Sequence, residues 1–193
     1  MKAHNRRKSR LRGFTIIELL LVISVIGIMA GFAIPRIDLT RFRVDAAARL
    51  VRTLLMAANR NAITRQSNVI VSFDSTYNRL RIVQDYNNND TLNTADWTQF
   101  RALGEGGLFR SPTMLGLNGV SVTTPWEGAA VRTVSSMPSV VFRRDGSASA
   151  DFVIYLTIRT NVPTDYRAIS VVANTGKTDM FRWSGAAWIR MTQ

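Results

Sequence analysis

The chain has 193 residues, 46% hydrophobic and 20% charged, a composition typical of folded proteins, so disorder throughout is excluded and one globular domain of modest size is expected. It contains no cysteine, which excludes disulfides and thiolate metal sites. Its one histidine, His4, lies in the N-terminal tail, which leaves a Ser-His-Asp triad, a histidine zinc site and histidine acid–base chemistry without support. The formal net charge of +12 points to phosphate or membrane surfaces, and much of it sits at the start of the chain. Residues 1–13 carry Lys2, Arg6, Arg7, Lys8, Arg10 and Arg12 and no acid; with these six set aside, 19 bases stand against 13 acids, a balance of +6.

Residues 14–34 are apolar for most of their length, and as a helix they measure about 30 Å, the thickness of a hydrocarbon core. This spacing predicts a membrane segment. A basic start followed by an apolar run also fits a secretory signal peptide, with Gly31-Phe32-Ala33 as a small-x-small cleavage site, but the run exceeds the usual h-region of about 7–15 residues. A plain single-pass anchor is the other alternative, and there Glu18 is out of place. A carboxylate at mid-membrane costs on the order of 2.5–3.5 kcal/mol, somewhat less near an end, so it needs a partner.

The string Arg12-Gly13-Phe14-Thr15-Ile16-Ile17-Glu18-Leu19-Leu20 resembles the processing site of type IV prepilins and type II secretion pseudopilins. A short basic leader, a glycine, a phenylalanine, a glutamate four residues later and a continuous apolar run with Pro35 near its far end make up the likeness. It implies that a membrane-embedded prepilin peptidase cuts after Gly13 and methylates the new amino terminus on Phe14. It also implies a partner for Glu18: the amine on Phe14 of an adjacent subunit, each charge compensating the other where either alone is costly. Glu18 is then an assembly residue, not a catalytic one. Gly13 serves the peptidase, and Pro35 ends or kinks the helix, which in that family lets subunits pack.

Arg36, Arg41, Arg43, Arg49 and Arg52 nearly balance the leader's cations, so counting positive charges hardly decides orientation. The resemblance places the leader in the cytoplasm and the bulk of the chain outside the inner membrane. It divides the chain into a cleaved leader (1–13), a membrane and filament-core helix (14–35), an amphipathic continuation (36–66) and an extracytoplasmic β-rich domain (67–193).

Within the continuation, Ala47, Leu50, Val51, Leu54, Ala58 and Ala62 recur near helical spacing and predict one apolar face. Arg49, Arg52, Arg60 and Asn61 point elsewhere, toward solvent, another subunit or, as the alternative, a nucleic-acid groove. Beyond residue 66 the period becomes two. Val69, Val71 and Phe73, a Ser75-Thr76-Tyr77-Asn78 turn, then Leu80 and Ile82 predict a hairpin.

Asp85, Asn87, Asn89, Thr91, Asn93 and Asp96 follow at positions 1, 3, 5, 7, 9 and 12 of a loop, offsets at which EF-hand-like loops offer oxygens to calcium. Asp90 stands where a glycine is usual and Asp96 replaces the bidentate glutamate, so the competing reading is a polar loop of turn formers. Residues 104–138 predict a long excursion with short strands near 120–122 and 131–134. Val140-Val141-Phe142, Asp145-Gly146 and the alternation over 152–158 predict a second hairpin. Two further turns separate strands at 168–173, 179–183 and 187–191. Trp97, Trp126, Trp183 and Trp188 are assigned to core or inter-subunit packing, with a ligand cage as the alternative.

The stretches SVVFRRDGSASA and RAISVVANTGK, placed after a long N-terminal helix, resemble the GspH/FimT group of minor pilins and pseudopilins. That likeness implies an α+β, type IV pilin-like fold: a long N-terminal membrane and amphipathic helix packed on a C-terminal antiparallel sheet domain. It implies a minor subunit of a type IV pilus or a type II secretion pseudopilus, in the initiation or tip complex, with other pilins or pseudopilins as partners and no required cofactor. Some members of this group bind DNA during natural transformation. Arg143, Arg144, Arg159, Arg167, Lys177, Arg182 and Arg190 supply charge for such a role, although Asp145, Asp151, Asp165 and Asp179 intersperse them as on an ordinary mixed surface. An anchored enzyme finds no nucleophile–base pairing, metal triad or cofactor fingerprint.

Overall fold

Eighteen consecutive residues, Ile16–Ala33, form the first helix, α1. They belong to a computed structural model that describes residues 14–33, 39–128 and 131–192 and divides into two units, 1–38 and 39–193. The helix is apolar on every side, the pattern of a segment whose surroundings are themselves apolar, and residues 14–30 are all exposed within this one chain. Ser24, the hydroxyl within it, donates to Leu20 O at 2.7 Å and so asks nothing of its surroundings. Among the described residues no helix is long and apolar enough to cross a membrane. Ile34, which completes the apolar run, and Pro35 lie outside the described residues.

The second unit begins with α2, Thr40–Arg65. Its buried face is Val44, Ala47, Ala48, Val51, Leu55, Ala58 and Ala62, steps of three and four that keep one side of the helix inward. Ala47, Val51, Ala58 and Ala62 fall where the periodicity places them, but Leu50 and Leu54 are half-buried flanks and Leu55 takes the centre. Four alanines in that face bring the helix axis close to the sheets. The helix stops at Gln66, which adopts the left-handed region (φ 53°) and returns its side-chain amide to Ile63 O at 2.7 Å.

Two antiparallel sheets follow. The first contains β1 (Asn68–Asp74), β2 (Arg79–Asp85), β3 (Trp97–Ala102), and, later in the chain, β6 (Arg132–Val134) and β7 (Met137–Phe142), in the order β3-β2-β1-β7-β6. The second contains β4 (Leu108–Phe109), β5 (Trp126–Glu127), β8 (Phe152–Thr157), β9 (Arg167–Val171), β10 (Thr178–Trp183) and β11 (Trp188–Arg190), in the order β11-β10-β9-β8-β4, with β5 also paired to β8. Val69, Val71 and Phe73 of β1 join α2 and the inward residues of β8 and β9 in one core, where Phe73 stacks on Phe152 with ring centroids 4.8 Å apart. Every residue of β1 is buried because both faces of that strand are covered.

The first hairpin forms as the alternation predicts, with Asp74 opposite Arg79. Asp74 closes its turn: Oδ1 accepts the N–H groups of Thr76 and Tyr77, both at 3.1 Å, and Oδ2 accepts Arg79 Nε–H at 2.9 Å. Burial opposes its charged form, but these bonds and the guanidinium outweigh that and hold the carboxyl below its ordinary 3.8. The resulting stabilisation is present above the unfolded carboxyl range, about pH 4, and is lost as pH falls through the lowered folded value. Asp74→Asn is therefore expected to lower the thermal midpoint at neutral pH and to converge with the parent chain in strong acid. A midpoint difference that does not change with pH would contradict this. Arg79 is also sandwiched by the rings of Tyr77 (4.6 Å) and Phe100 (4.2 Å), which ties the turn to β3.

The second expected hairpin does not form. β7 lies in the first sheet and β8 in the second. The Arg143–Gly146 turn and a single Phe142–Ala148 bridge start it, and then Ala148 N–H donates to Ala173 O at 2.6 Å and carries the chain across to the other sheet. No strand forms at 120–122; Val122 instead covers the outer face of the second sheet with Leu117, over Val153, Tyr155 and Ala168. The expected strand near 131–134 is β6. Tyr155 fixes the excursion: its hydroxyl donates to the buried Glu127 carboxylate and accepts Leu117 N–H at 2.6 Å. Burial, and then the bond to Glu127, push the phenol far above its ordinary range, so it stays a donor at any working pH. Gly116 is required beside this pair, because a Cβ there would overlap Glu127 Oε2, Val122 and the Tyr155 hydroxyl.

Candidate functional site

Glu18 is the third residue of α1, and the residue before the helix, Thr15, caps it: Thr15 Oγ1 accepts Glu18 N–H at 3.3 Å and Thr15 O accepts Leu19 N–H at 3.1 Å. The order Thr-x-x-Glu is the sequence signature of a capping box, a signal that attention to the apolar run alone passes over. Glu18 thus has a local reason to sit in the first turn, where the unpaired N–H groups of the helix favour a negative charge. Phe14, 79% exposed, precedes it on the same end of the helix. Gly13 and Pro35 lie outside the described residues. Phe14 and Glu18 are therefore the two expected assembly residues the structure places, at one end of a helix whose residues up to 30 are all exposed.

Asp85 ends β2 and the Asn and Asp residues after it share one loop, where side-chain oxygens of Asp85, Asn87, Asn89 and Asp96 accept from the chain's own donors. Asp85, fully buried, accepts Asn89 N–H (3.3 Å) and Asp90 N–H (2.7 Å). Asn87 accepts Asn89 N–H at 3.3 Å, and Asn89 accepts Thr91 N–H at 3.0 Å, the Thr91 hydroxyl at 2.7 Å and the Asn93 amide at 3.2 Å. Asp96 accepts Tyr86 N–H (3.3 Å) and Asn93 N–H (2.8 Å). Asp90 adopts φ 60°, the conformation a glycine supplies at that position of a calcium loop, and spends its carboxylate on Asn68 and Arg132. These are the side-chain-to-backbone bonds of a polar turn. Among the described residues no group of three or more His, Asp or Glu is gathered as a metal site.

Residues 8–34 match the prokaryotic N-terminal methylation motif, and residues 47–176, two thirds of the chain, match the family of type II transport protein GspH. The chain belongs to the GspH family. That family is a structural one, and the chain is not an enzyme. Pilin-like protein PilA1 of Thermus thermophilus is 40% identical over 56 residues, 29% of this GspH-family chain and 36% of PilA1, so the alignment spans about a third of that relative. Two structures of the minor pseudopilin EpsH from the type II secretion system of Vibrio cholerae superpose with TM-scores of 0.48 and 0.47 at 14% identity; both cover 72% of this chain, and 97% and 94% of EpsH.

The seven basic residues assigned to DNA in the GspH-family chain do not form one free surface. Arg167 is a correction: it is 3% exposed, its Nε–H donates to Asp45 Oδ1 at 2.6 Å and its Nη1 donates to Thr164 O and Tyr166 O, both at 2.9 Å. No phosphate reaches it. Arg159 is paired with the buried Asp165, Arg190 with Asp179 at 2.5 Å, Lys177 with the same Asp179 at 3.8 Å and Arg143 with Asp90 at 3.6 Å. Arg144 and Arg182 stand exposed on different sheets, one after β7 and one on β10. Of the tryptophans, Trp126 packs on the main core, Trp188 packs on Tyr155 and Trp183, and Trp97 stands half exposed on the edge strand β3.

Proposed function

We propose that the chain is a minor pilin or pseudopilin, cut after Gly13 by a prepilin peptidase, methylated on Phe14 and assembled into a type IV pilus or type II secretion pseudopilus, in its initiation or tip complex. Before assembly it is anchored in the inner membrane by residues 14–35, with the domain after it on the extracytoplasmic side. One observation carries this: Glu18, a single carboxylate, stands in the first turn of a helix whose other described faces are apolar and exposed, inside a matched methylation motif. An apolar helix with nothing to cover it calls for lipid or other helices as its surroundings, and both make an uncompensated carboxylate costly. A terminal ammonium on a neighbour's residue 14 supplies the compensation.

The alternative, a DNA-binding minor pilin acting in uptake, loses Arg167 to burial and finds Arg159 bound to the buried Asp165, and its other cations are split between the end of β7 in one sheet and the β9–β11 region of the other, so the filament role is the stronger reading. The test is fractionation. In cells assembling filaments, a C-terminally tagged chain is expected to shear off with the filament fraction at a small share of the major subunit. Retention of all of it in the membrane while filaments shed normally would overturn the proposal.

A further inference from the structure

A groove of about 510 Å³ runs between α2 and the β9–β10 turn. Arg52 and Arg60 of the helix, Lys177 of the turn and Arg190 of β11 stand around it, and the one carboxylate among its lining residues, Asp179, is already shared by Arg190 and Lys177. Its floor is aliphatic. Met56 and Ile63 are 51% and 43% exposed there and belong to no part of the buried stripe of α2.

The walls are fixed before anything binds. Arg52 Nε–H donates to Thr178 O at 3.3 Å, and Asn59 donates to Gly146 O at 3.0 Å. Gly176, at φ 60°, lets the turn close on the helix, because a Cβ there would fall inside the Asn59 amide. A preformed groove loses little freedom when it is filled.

The occupant must satisfy two demands at once: anionic groups for the surrounding cations and an aliphatic group for the floor. A single nucleic-acid strand would want an aromatic platform for its bases, and no lining residue is aromatic. A duplex would meet the cations with phosphate and leave Met56 and Ile63 uncovered. We propose that the groove docks an acidic segment of a neighbouring filament subunit, seating an aliphatic side chain on Met56 and Ile63 with carboxylates facing Arg60 and Lys177. The identity of the partner as a filament subunit rests on the function proposed above; the chemistry of the groove does not.

The probe is a fluorescent synthetic peptide alternating glutamate and leucine, titrated into the full chain in detergent micelles and followed by anisotropy. Binding is expected, with affinity falling about tenfold or more in Arg60→Glu/Lys177→Glu, about tenfold in Met56→Ser, and steeply with added salt. If charge reversal lowers the thermal midpoint, Arg60→Gln/Lys177→Gln gives the same comparison on a folded chain. Equal affinity in the parent and all variants would overturn the proposal. So would an oligothymidylate that displaces the peptide and is indifferent to Met56→Ser, which would make the groove a nucleic-acid surface. In cells, the charge-reversed chain is expected to leave the filament fraction. Its normal incorporation would sink the docking proposal alone, whereas normal incorporation of Glu18→Ala would sink the filament role and leave the peptide result standing.

Discussion

Replacement of Glu18 by alanine is expected to remove the protein from filaments while leaving its level in the membrane and the fold of residues 39–193 unchanged. Two effects could follow from losing this carboxylate, and their sizes separate them. As a first-turn acid beside the Thr15 cap it contributes about 0.3–1 kcal/mol to its helix, too little to prevent assembly. As the partner of a neighbour's terminal ammonium it prevents an uncompensated charge in an apolar environment, worth about 3–5 kcal/mol, which is a loss on the order of 10²- to 10⁴-fold in the association constant. Glu18→Gln distinguishes the two, since glutamine keeps a hydrogen-bonding side chain of the same length in the first turn but carries no charge. The pairing account expects Gln to be as defective as Ala. Filament levels near those of the parent chain in the Gln variant would reduce Glu18 to a helix cap.

Asp45→Ala is expected to lower the stability of the domain of residues 39–193 by about 3 kcal/mol, measured by urea unfolding of the full chain in detergent. Asp45 projects from the first half of α2 and receives Arg167 of β9 at 2.6 Å, so the pair ties the helix to the second sheet across 122 positions of sequence. Without Asp45 the guanidinium stays buried against two backbone carbonyls that cannot neutralise it. The loss therefore reflects a stranded charge more than the net worth of the pair. Replacing both partners, Asp45→Leu with Arg167→Met, is accordingly expected to recover most of the stability, because an apolar pair of similar volume avoids the desolvation that the ions endure. A single variant within about 1 kcal/mol of the parent would mean that the packing of α2, not this bond, places β9.

What could be read from the sequence was what depends on neighbours along the chain. The Gly13–Glu18 motif, the stripe of Ala47, Val51, Ala58 and Ala62, and the hairpin joining β1 to β2 are all local patterns, with periods of 3.6 or 2 or with turn residues at fixed offsets. The strands at the C-terminal end also form a meander, β8 to β9 to β10 to β11, because each turn joins strands that pair directly. Distant pairings were not legible. Asp145-Gly146 makes the turn its composition predicts, yet β7 pairs with β1, some seventy residues earlier, and that partner decides which sheet it enters. Arg167 looked like surface charge because its counter-ion is 122 positions away. The edge strand β3 escaped notice for another reason: nearly all of Trp97–Ala102 is exposed, so no alternation of apolar and polar residues marks it.

The calcium spacing shows the limits of pattern in a different way. Asp85, Asn87, Asn89, Thr91, Asn93 and Asp96 do converge on one loop, as their offsets imply. Oxygens of Asp85, Asn87, Asn89 and Asp96 accept N–H groups of the loop itself, while the Thr91 hydroxyl and the Asn93 amide donate to Asn89, the bonding of a polar turn. Offsets report convergence; they do not report what the side chains converge on.

The most direct test of the central claim, that a freed amino terminus at residue 14 pairs with Glu18 of the next subunit, is mass spectrometry of the protein recovered from assembled filaments. The account predicts a chain that begins at Phe14, lacks residues 1–13 and carries one methyl group on its terminal nitrogen. A chain found in filaments at normal levels with its leader intact would contradict it, since no terminal ammonium would then stand where the carboxylate needs one.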